Sequence, residues 1–356
     1  YIDKDLKKSI NIAFNNIYKF HKNQAFNSKI TETTPGVFCW QEKRAIENVG
    51  LYIPGGTAPL FSSVLMLAIP AMIANCKNIV LCSPPNNNGE LHPAILYCAK
   101  LCKVNKVICV GGAQSIAAMS IGTDSVPKVN KIFGPGNQYV TYAKLKSINY
   151  KTAIDMPAGP SELLVLADQY ANPEYIASDL LSQAEHGPDS QVIFVSLSKS
   201  LINDVEKCIN DQIENLDRKD FINKSISNSK LIFFDNKEDA VEFINQYAPE
   251  HYIINVQDES FFIDNIVSAG SVFIGNYTPE SAGDYASGTN HTLPTNGNAK
   301  QYSGVNLDSF LKTITFQKIS KEGLLNISKT VETMAEAEGL QAHKNAVSIR
   351  VKDLNN

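Results

Sequence analysis

The chain of 356 residues has no Gly-x-Gly-x-x-Gly after any apolar run, and no Gly-x-x-x-x-Gly-Lys-Ser/Thr at all. A dinucleotide or nucleoside triphosphate, if bound, is therefore held without the usual glycine fingerprints. Basic residues form no long run and the net charge is −4, which argues against nucleic acid or an anionic membrane as partner. Long hydrophobic runs are missing too. The longest apolar stretch, between Pro59 and Cys76, is interrupted by Ser62, Ser63 and Pro70, and suits a buried helix better than a membrane span. Seven cysteines form no Cys-x-x-Cys pair and are odd in number, so reduced thiols in the cytoplasm are the simplest account. Cys98 and Cys102 read as core thiols rather than metal ligands. The sequence opens on Tyr1 with no initiator Met or signal-peptide pattern, which leaves an absent upstream segment or processing as expectations.

What is present fits an ordinary globular enzyme. An apolar content of 44% with mixed charge and a length beyond one core predict two domains, with room for an appendage. Leu6, Ile10, Ala13, Ile17 and Phe20 repeat at helical spacing. Strand-like runs over 36–43 and 48–53 follow, the second broken by Pro54-Gly55-Gly56. Helices over 60–75, 90–103 and 114–121 then alternate with strands over 78–82, 106–110 and 131–133. That rotation predicts a parallel sheet covered on both faces. Gly111-Gly112-Ala113-Gln114 and Gly134-Pro135-Gly136-Asn137 fall at carboxyl ends of strands, where open α/β sheets bind ligands, although tight turns alone would also explain the glycines.

A second alternating series runs from strand 163–167 to strand 271–275, through helices at 173–186, 199–216, 237–247 and 259–267. From Asn276 to Gly304 the chain turns rich in Gly, Ser, Thr, Asn and Pro, predicting a long functional or disordered loop. A helix over 321–338 and a final helix or strand through Val351 close the chain.

Three stretches carry possible chemistry. Gln183 and His186 stand three apart at a helix end released by Gly187 and Pro188, so both side chains share one face; a histidine merely facing the last carbonyls is the alternative. Glu250 and His251 follow Pro249 at the start of an apolar strand. A histidine suits proton abstraction from an alcohol and a carboxylate can activate water, while a solvent-exposed polar pair is equally open. Asp284 and His291 lie in the glycine-rich loop, and Glu338 and His343 flank Gly339. Nitrogen and oxygen ligands without thiolate suit zinc or manganese. His21 and His92 sit on ordinary helical patterns.

The stretch Ile154–Glu162 (IDMPAGPSE), continuing to Ser182-Gln-Ala-Glu-His186, closely resembles the histidinol dehydrogenase family. The likeness extends through residues 50–56 (GLYIPGG), 110–114 (VGGAQ), 133–137 (FGPGN), 249–251 (PEH), 281–291 (SAGDYASGTNH) and 342–346 (AHKNA), in order along nearly the whole chain. It implies oxidation of L-histidinol through L-histidinal to L-histidine with two NAD+ in succession. It further implies zinc held by Gln183, His186, Asp284 and His343, with His251 as base and Glu250 activating water. Ser161, His291 and Glu338 match substrate-contacting positions, alongside the zinc ligands and His251. Tyr52, Gln114 and Asn137 match NAD-contacting ones.

The implied fold is two Rossmann-like parallel-sheet domains, one inserted in the other. Residues 1–51 and 163–305 would form one, 52–162 the inserted NAD-contacting one, and 306–356 a helical tail. The family is a homodimer with a shared site, so that tail is expected to exchange between subunits, with His343 reaching the partner. Family chains also extend upstream of the position of Tyr1. A zinc hydrolase using Glu250 without a dinucleotide, and a ligand-binding remnant without turnover, are the competing readings.

Overall fold

The structure, a computed structural model, describes residues 2–26, 28–55 and 58–354; Gly56, which closes the 50–56 motif, lies outside them. Helix α1 (Lys4–Lys22) begins where the Asp3 carboxylate accepts the Leu6 amide, and it buries the stripe Ile10, Ala13, Ile17 and His21. Strands β1 (Thr31–Thr34), β2 (Val37–Ala45) and β3 (Asn48–Tyr52) follow, then α2 (Phe61–Ile73), β4 (Asn78–Ser83), α3 (Pro93–Leu101), β5 (Lys106–Cys109), α4 (Gly112–Ile121), β6 (Lys131–Phe133), α5 (Gln138–Ser147) and β7 (Ala153–Ile154). The next series is β8 (Glu162–Ala167), α6 (Pro173–Ala184), β9 (Gln191–Ser196), α7 (Lys199–Ile213), α8 (Lys219–Ser227), β10 (Lys230–Phe233), α9 (Lys237–Tyr247), β11 (His251–Asn255), α10 (Glu259–Asn265) and β12 (Ser271–Ile274). The chain ends with α11 (Glu280–Tyr285), β13 (Leu311–Ile319), α12 (Lys321–Ala337) and α13 (Gln341–Leu354).

Two five-stranded parallel sheets result, ordered β5-β4-β3-β6-β7 and β10-β9-β8-β11-β12. Both have the same plan: the order in which strands are added reverses between the first and fourth strand, the switch point where open sheets form a ligand crevice. In the second sheet the pleat sorts side chains by alternation. Leu163, Val165 and Ala167 bury against α6 and α7, whereas Leu164 and Leu166 bury against α9 and α10. Unbroken apolar strands are required because both faces are covered.

The chain divides into two compact units, residues 1–24 with 46–310, and residues 25–45 with 311–356. The second is a three-stranded antiparallel sheet, β1-β2-β13, with α12 and α13. Its extent differs from the expected boundaries. β2 pairs with β13 from Ala45↔Leu311 to Val37↔Ile319, which draws residues 25–45 away from the domain of 1–51 and 163–305. β3, also expected there, instead pairs in parallel with β4 and β6. The two large sheets therefore take their strands from consecutive stretches, 48–154 and 162–274. The long loop expected over 276–304 contains the short helix α11, and the tail holds a nine-residue strand as well as helices.

Candidate active site

The site is built at the amino edge of the second sheet, opposite to the edge that usually carries ligands. Register places His251 beside Leu163, so β8 and β11 start side by side. The backbone of Glu162 grips both residues of the Glu250–His251 pair. Its N–H donates to Glu250 Oε2 at 2.9 Å, and its carbonyl oxygen lies 3.1 Å from His251 Nδ1. Glu250 is 6% exposed and His251 4%, so the pair is buried rather than a solvated polar step before a strand. The close approach continues at Gly270, where a Cβ would press on the Glu250 carbonyl.

Around His251 gather groups that lie far apart in sequence. Its Nδ1 is 3.3 Å from Glu280 Oε1 and 3.7 Å from Glu250 Oε2, and its Nε2 is 3.8 Å from Asp284 Oδ1. Asp284 in turn faces His186 Nε2 at 4.0 Å and His291 Nδ1 at 3.8 Å. His291 is held by the Asp284 carbonyl at 3.1 Å and by Ser63 Oγ on α2 at 3.1 Å. Among the described residues, His251, Glu280 and Asp284 offer ligating atoms within 4.8 Å of one another.

The end of α6 comes to this region, Ser182 Oγ lying 3.5 Å from Glu280 Oε2 and His186 facing Asp284, because of how the helix is bounded. Asn172 caps it by accepting the Glu174 amide at 2.9 Å, with Pro173 in the first turn, and it ends just before Gly187-Pro188. Gln183 is 1% exposed, yet neither atom of its amide has a partner. Such a group costs about 1–3 kcal/mol unless something satisfies it. The helix stops at Ala184, so His186 lies in the turn beyond it and not on a shared helix face, its N–H donating to the Gln183 carbonyl at 3.2 Å. A buried amide oxygen, an imidazole in the following turn and the Asp284 carboxylate facing that imidazole are a donor set that fits a divalent cation of the zinc type.

Burial dominates the electrostatics. It pushes the His251 imidazole down to about 4, partly opposed by the Asp284 carboxylate, so the ring is neutral at pH 7. It raises Glu250 well above the usual carboxylate range, against the Glu162 N–H that favours the charged form. Glu280 is raised likewise by burial and by the neighbouring Asp284 and Glu250 carboxylates. Glu162 is pushed up to about 7 by burial, although its Oε1 accepts the Asn296 amide at 3.0 Å.

The remaining expected residues are spread between two edges. Ser161 precedes Glu162 and shares a narrow cavity with Glu250 and His291. Tyr52 ends β3, and its hydroxyl accepts the Gly112 N–H at 3.1 Å. Asn137 is exposed, follows β6 and caps α5 through Oδ1; Gln114 is exposed in the first turn of α4. These three stand at the carboxyl edge of the first sheet. Glu338 and His343 are exposed residues of the second unit. Two buried acids were missed in the sequence. Glu280 stands one turn before Asp284 on α11, a spacing that the Gly-rich composition disguised; Glu162 acts through its backbone, which leaves no sequence signal.

The histidinol dehydrogenase family model matches residues 1–351. The chain is 58% identical to a histidinol dehydrogenase of Bacteroides fragilis over 350 residues, 98% of this chain and 82% of the relative. It is 54% identical to the chloroplastic histidinol dehydrogenase of Arabidopsis thaliana, covering 99% of this chain and 76% of the relative. The crystal structure of histidinol dehydrogenase from Elizabethkingia anophelis superposes with a TM-score of 0.98 at 55% identity, covering 100% of this chain and 82% of that one. With a match along nearly its full length and a Glu–His pair buried where two parallel strands begin, the chain belongs to the histidinol dehydrogenase family, NAD-dependent oxidoreductases of histidine biosynthesis.

Proposed function

We propose that the chain oxidises L-histidinol to L-histidinal and then to L-histidine, using zinc and two NAD+ in succession. The observation that carries this reading is the backbone of one residue, Glu162, holding a neutral histidine and a carboxyl group side by side through its N–H and its carbonyl, since two oxidations in one site need two proton handlers. Gln183, His186 and Asp284 would hold the zinc, with His343 supplied by a second copy of the chain in a homodimer. When bound, the zinc anchors the substrate's imidazole and amine and NAD+ accepts hydride from the carbinol carbon. Tyr52, Gln114 and Asn137 would contact that NAD+, and Ser161, His291 and Glu338 the substrate.

In the alcohol step His251 takes the hydroxyl proton on Nε2 as hydride leaves the carbon. In the aldehyde step Glu250 takes a proton from water while the water oxygen bonds to the carbonyl carbon. His251 returns the proton it took in the alcohol step to the carbonyl oxygen, which completes the hydrate and frees Nε2; as the hydrate gives up the second hydride, Nε2 takes a hydroxyl proton. Burial suits both groups: His251 stays unprotonated, and Glu250 is a stronger base than an exposed carboxylate. Among the described residues no helix is long and apolar enough to cross a membrane, and a cytoplasmic location is part of the proposal.

Mixing the protein with zinc, L-histidinol and NAD+ is expected to yield two NADH per L-histidine. Hydrolysis of an ester or amide substrate with no NADH would instead favour the zinc-hydrolase reading.

A further inference from the structure

Lys144 and Asp155 form a buried ion pair that the chemistry above does not use. Their side chains are 2% and 1% exposed and meet at 2.5 Å. Both also hold one residue, Gly134, at the end of β6. Lys144 Nζ donates to the Gly134 carbonyl at 2.8 Å, and Asp155 Oδ2 accepts the Gly134 N–H at 2.7 Å. Asp155 Oδ1 additionally accepts the Met156 N–H at 2.7 Å. Gly134 has φ +120°, and a Cβ there would collide with the Tyr52 carbonyl, so the end of β6 is locked against the end of β3. This is the switch point of the first sheet, where a cofactor crevice is expected.

A buried ion pair is poor value as stabilisation. Removing two charges from water costs about as much as their attraction returns, and apolar replacements of similar volume are often neutral. The pair's position suggests a different use. Gly134, Lys144 and Asp155 line the same narrow cavity as Ser161, Glu250 and His291. The chain leaving Asp155 runs directly to Ser161 and Glu162, and on the way the Gly159 N–H is fixed by Thr295 Oγ1 at 2.5 Å.

We infer that Lys144 and Asp155 are positioning residues that hold the crevice-forming loop at Gly134 in register with the segment carrying Ser161 and Glu162. A cofactor seated at the first sheet is thereby aimed at the acid–base pair of the second. The inference rests on the proposed NAD+-linked reaction.

The test replaces both charges at once, Lys144→Met with Asp155→Leu, so that no unpaired charge is buried. Zinc content and Tm are expected to stay near wild type while the NAD+ Kd, measured by calorimetry, and the NAD+ KM rise about tenfold or more, because small misplacements of a bound reactant are costly. The L-histidinol KM is expected to move much less. A folded double variant that retains the wild-type NAD+ Kd and KM would overturn the inference, since a purely structural pair leaves both unchanged. Should that variant not fold, Lys144→Arg with Asp155→Glu keeps the charges but alters their reach, and carries the same expectation and the same overturning result. Wild-type protein that binds NAD+ without oxidising L-histidinol would defeat the proposed function while leaving the Kd comparison decisive for the pair. Wild-type protein that does not bind NAD+ at all would defeat both.

Discussion

His251 Nδ1 lies 3.1 Å from the carbonyl oxygen of Glu162, and a carbonyl can only accept. That nitrogen therefore carries the ring proton, which leaves the lone pair on Nε2. Nε2 is buried, has no hydrogen-bond partner, and points toward the Asp284 carboxylate at 3.8 Å. A backbone oxygen thus sets which nitrogen keeps its lone pair, a choice no side-chain substitution at Glu162 can remove.

The division of labour between the adjacent pair is separable by kinetics. His251→Asn is expected to slow the alcohol step by about 10²–10⁴-fold, with a smaller effect on oxidation of supplied L-histidinal, and Glu250→Gln the reverse. Single-turnover NADH formation from each substrate reads the two steps. Equal losses in both would mean the residues act as one unit.

Gln183 should show a trade between stability and metal binding. Its amide is buried with both atoms unpartnered, so in zinc-free protein Gln183→Leu is expected to raise stability by about 1 kcal/mol. The same variant is expected to lose at least about tenfold in zinc affinity, as for other losses in a ligand shell. Chemical denaturation after chelation and a competitive zinc titration give the two numbers; unchanged zinc affinity would remove Gln183 from the ligand set.

Glu162→Gln distinguishes backbone from side chain. Gln keeps an oxygen for the Asn296 amide, and the grip on Glu250 and His251 is made by the backbone, so kcat is expected to stay within about threefold. Stability should respond to pH. The folded carboxyl is raised from 4.5 to about 7, so the folded state binds more protons than the unfolded one between those values. Its contribution is present below about 4.5 and lost as pH rises through about 7. The Tm advantage of Glu162→Gln is therefore expected to grow from pH 5 to pH 8, and a flat difference would show that the group titrates normally.

Gly134→Ala meets both a φ of +120° and the Tyr52 carbonyl. A loss of about 2 kcal/mol or more is expected, because backbone strain and a steric clash add at one position. Urea unfolding checks it. Gly187→Ala, with open space at its Cβ, is the control and should cost far less.

The alternation of helices and strands was readable because strands covered on both faces must be apolar throughout, as β8 and β11 are. The pieces that escaped are those whose periodicity is weak or short. α5 carries Tyr139, Tyr142 and Leu145 exposed and buries Lys144, inverting the usual amphipathic signal. β13 is mostly exposed, and its identity as a strand comes from β2, over two hundred residues earlier in the sequence.

By itself the sequence determined the family, through motifs that run in order along the chain, and the side chains able to handle protons and a cation. Only the tertiary structure decided how they meet. Gln183, Asp284 and His291 sit on separate elements whose approach depends on long-range packing, and the pairing of β8 with β11 sets Glu162 beside Glu250 and His251. The free lone pair on His251 Nε2 and the burial of Lys144 against Asp155 follow from backbone geometry and desolvation, which no residue type encodes on its own.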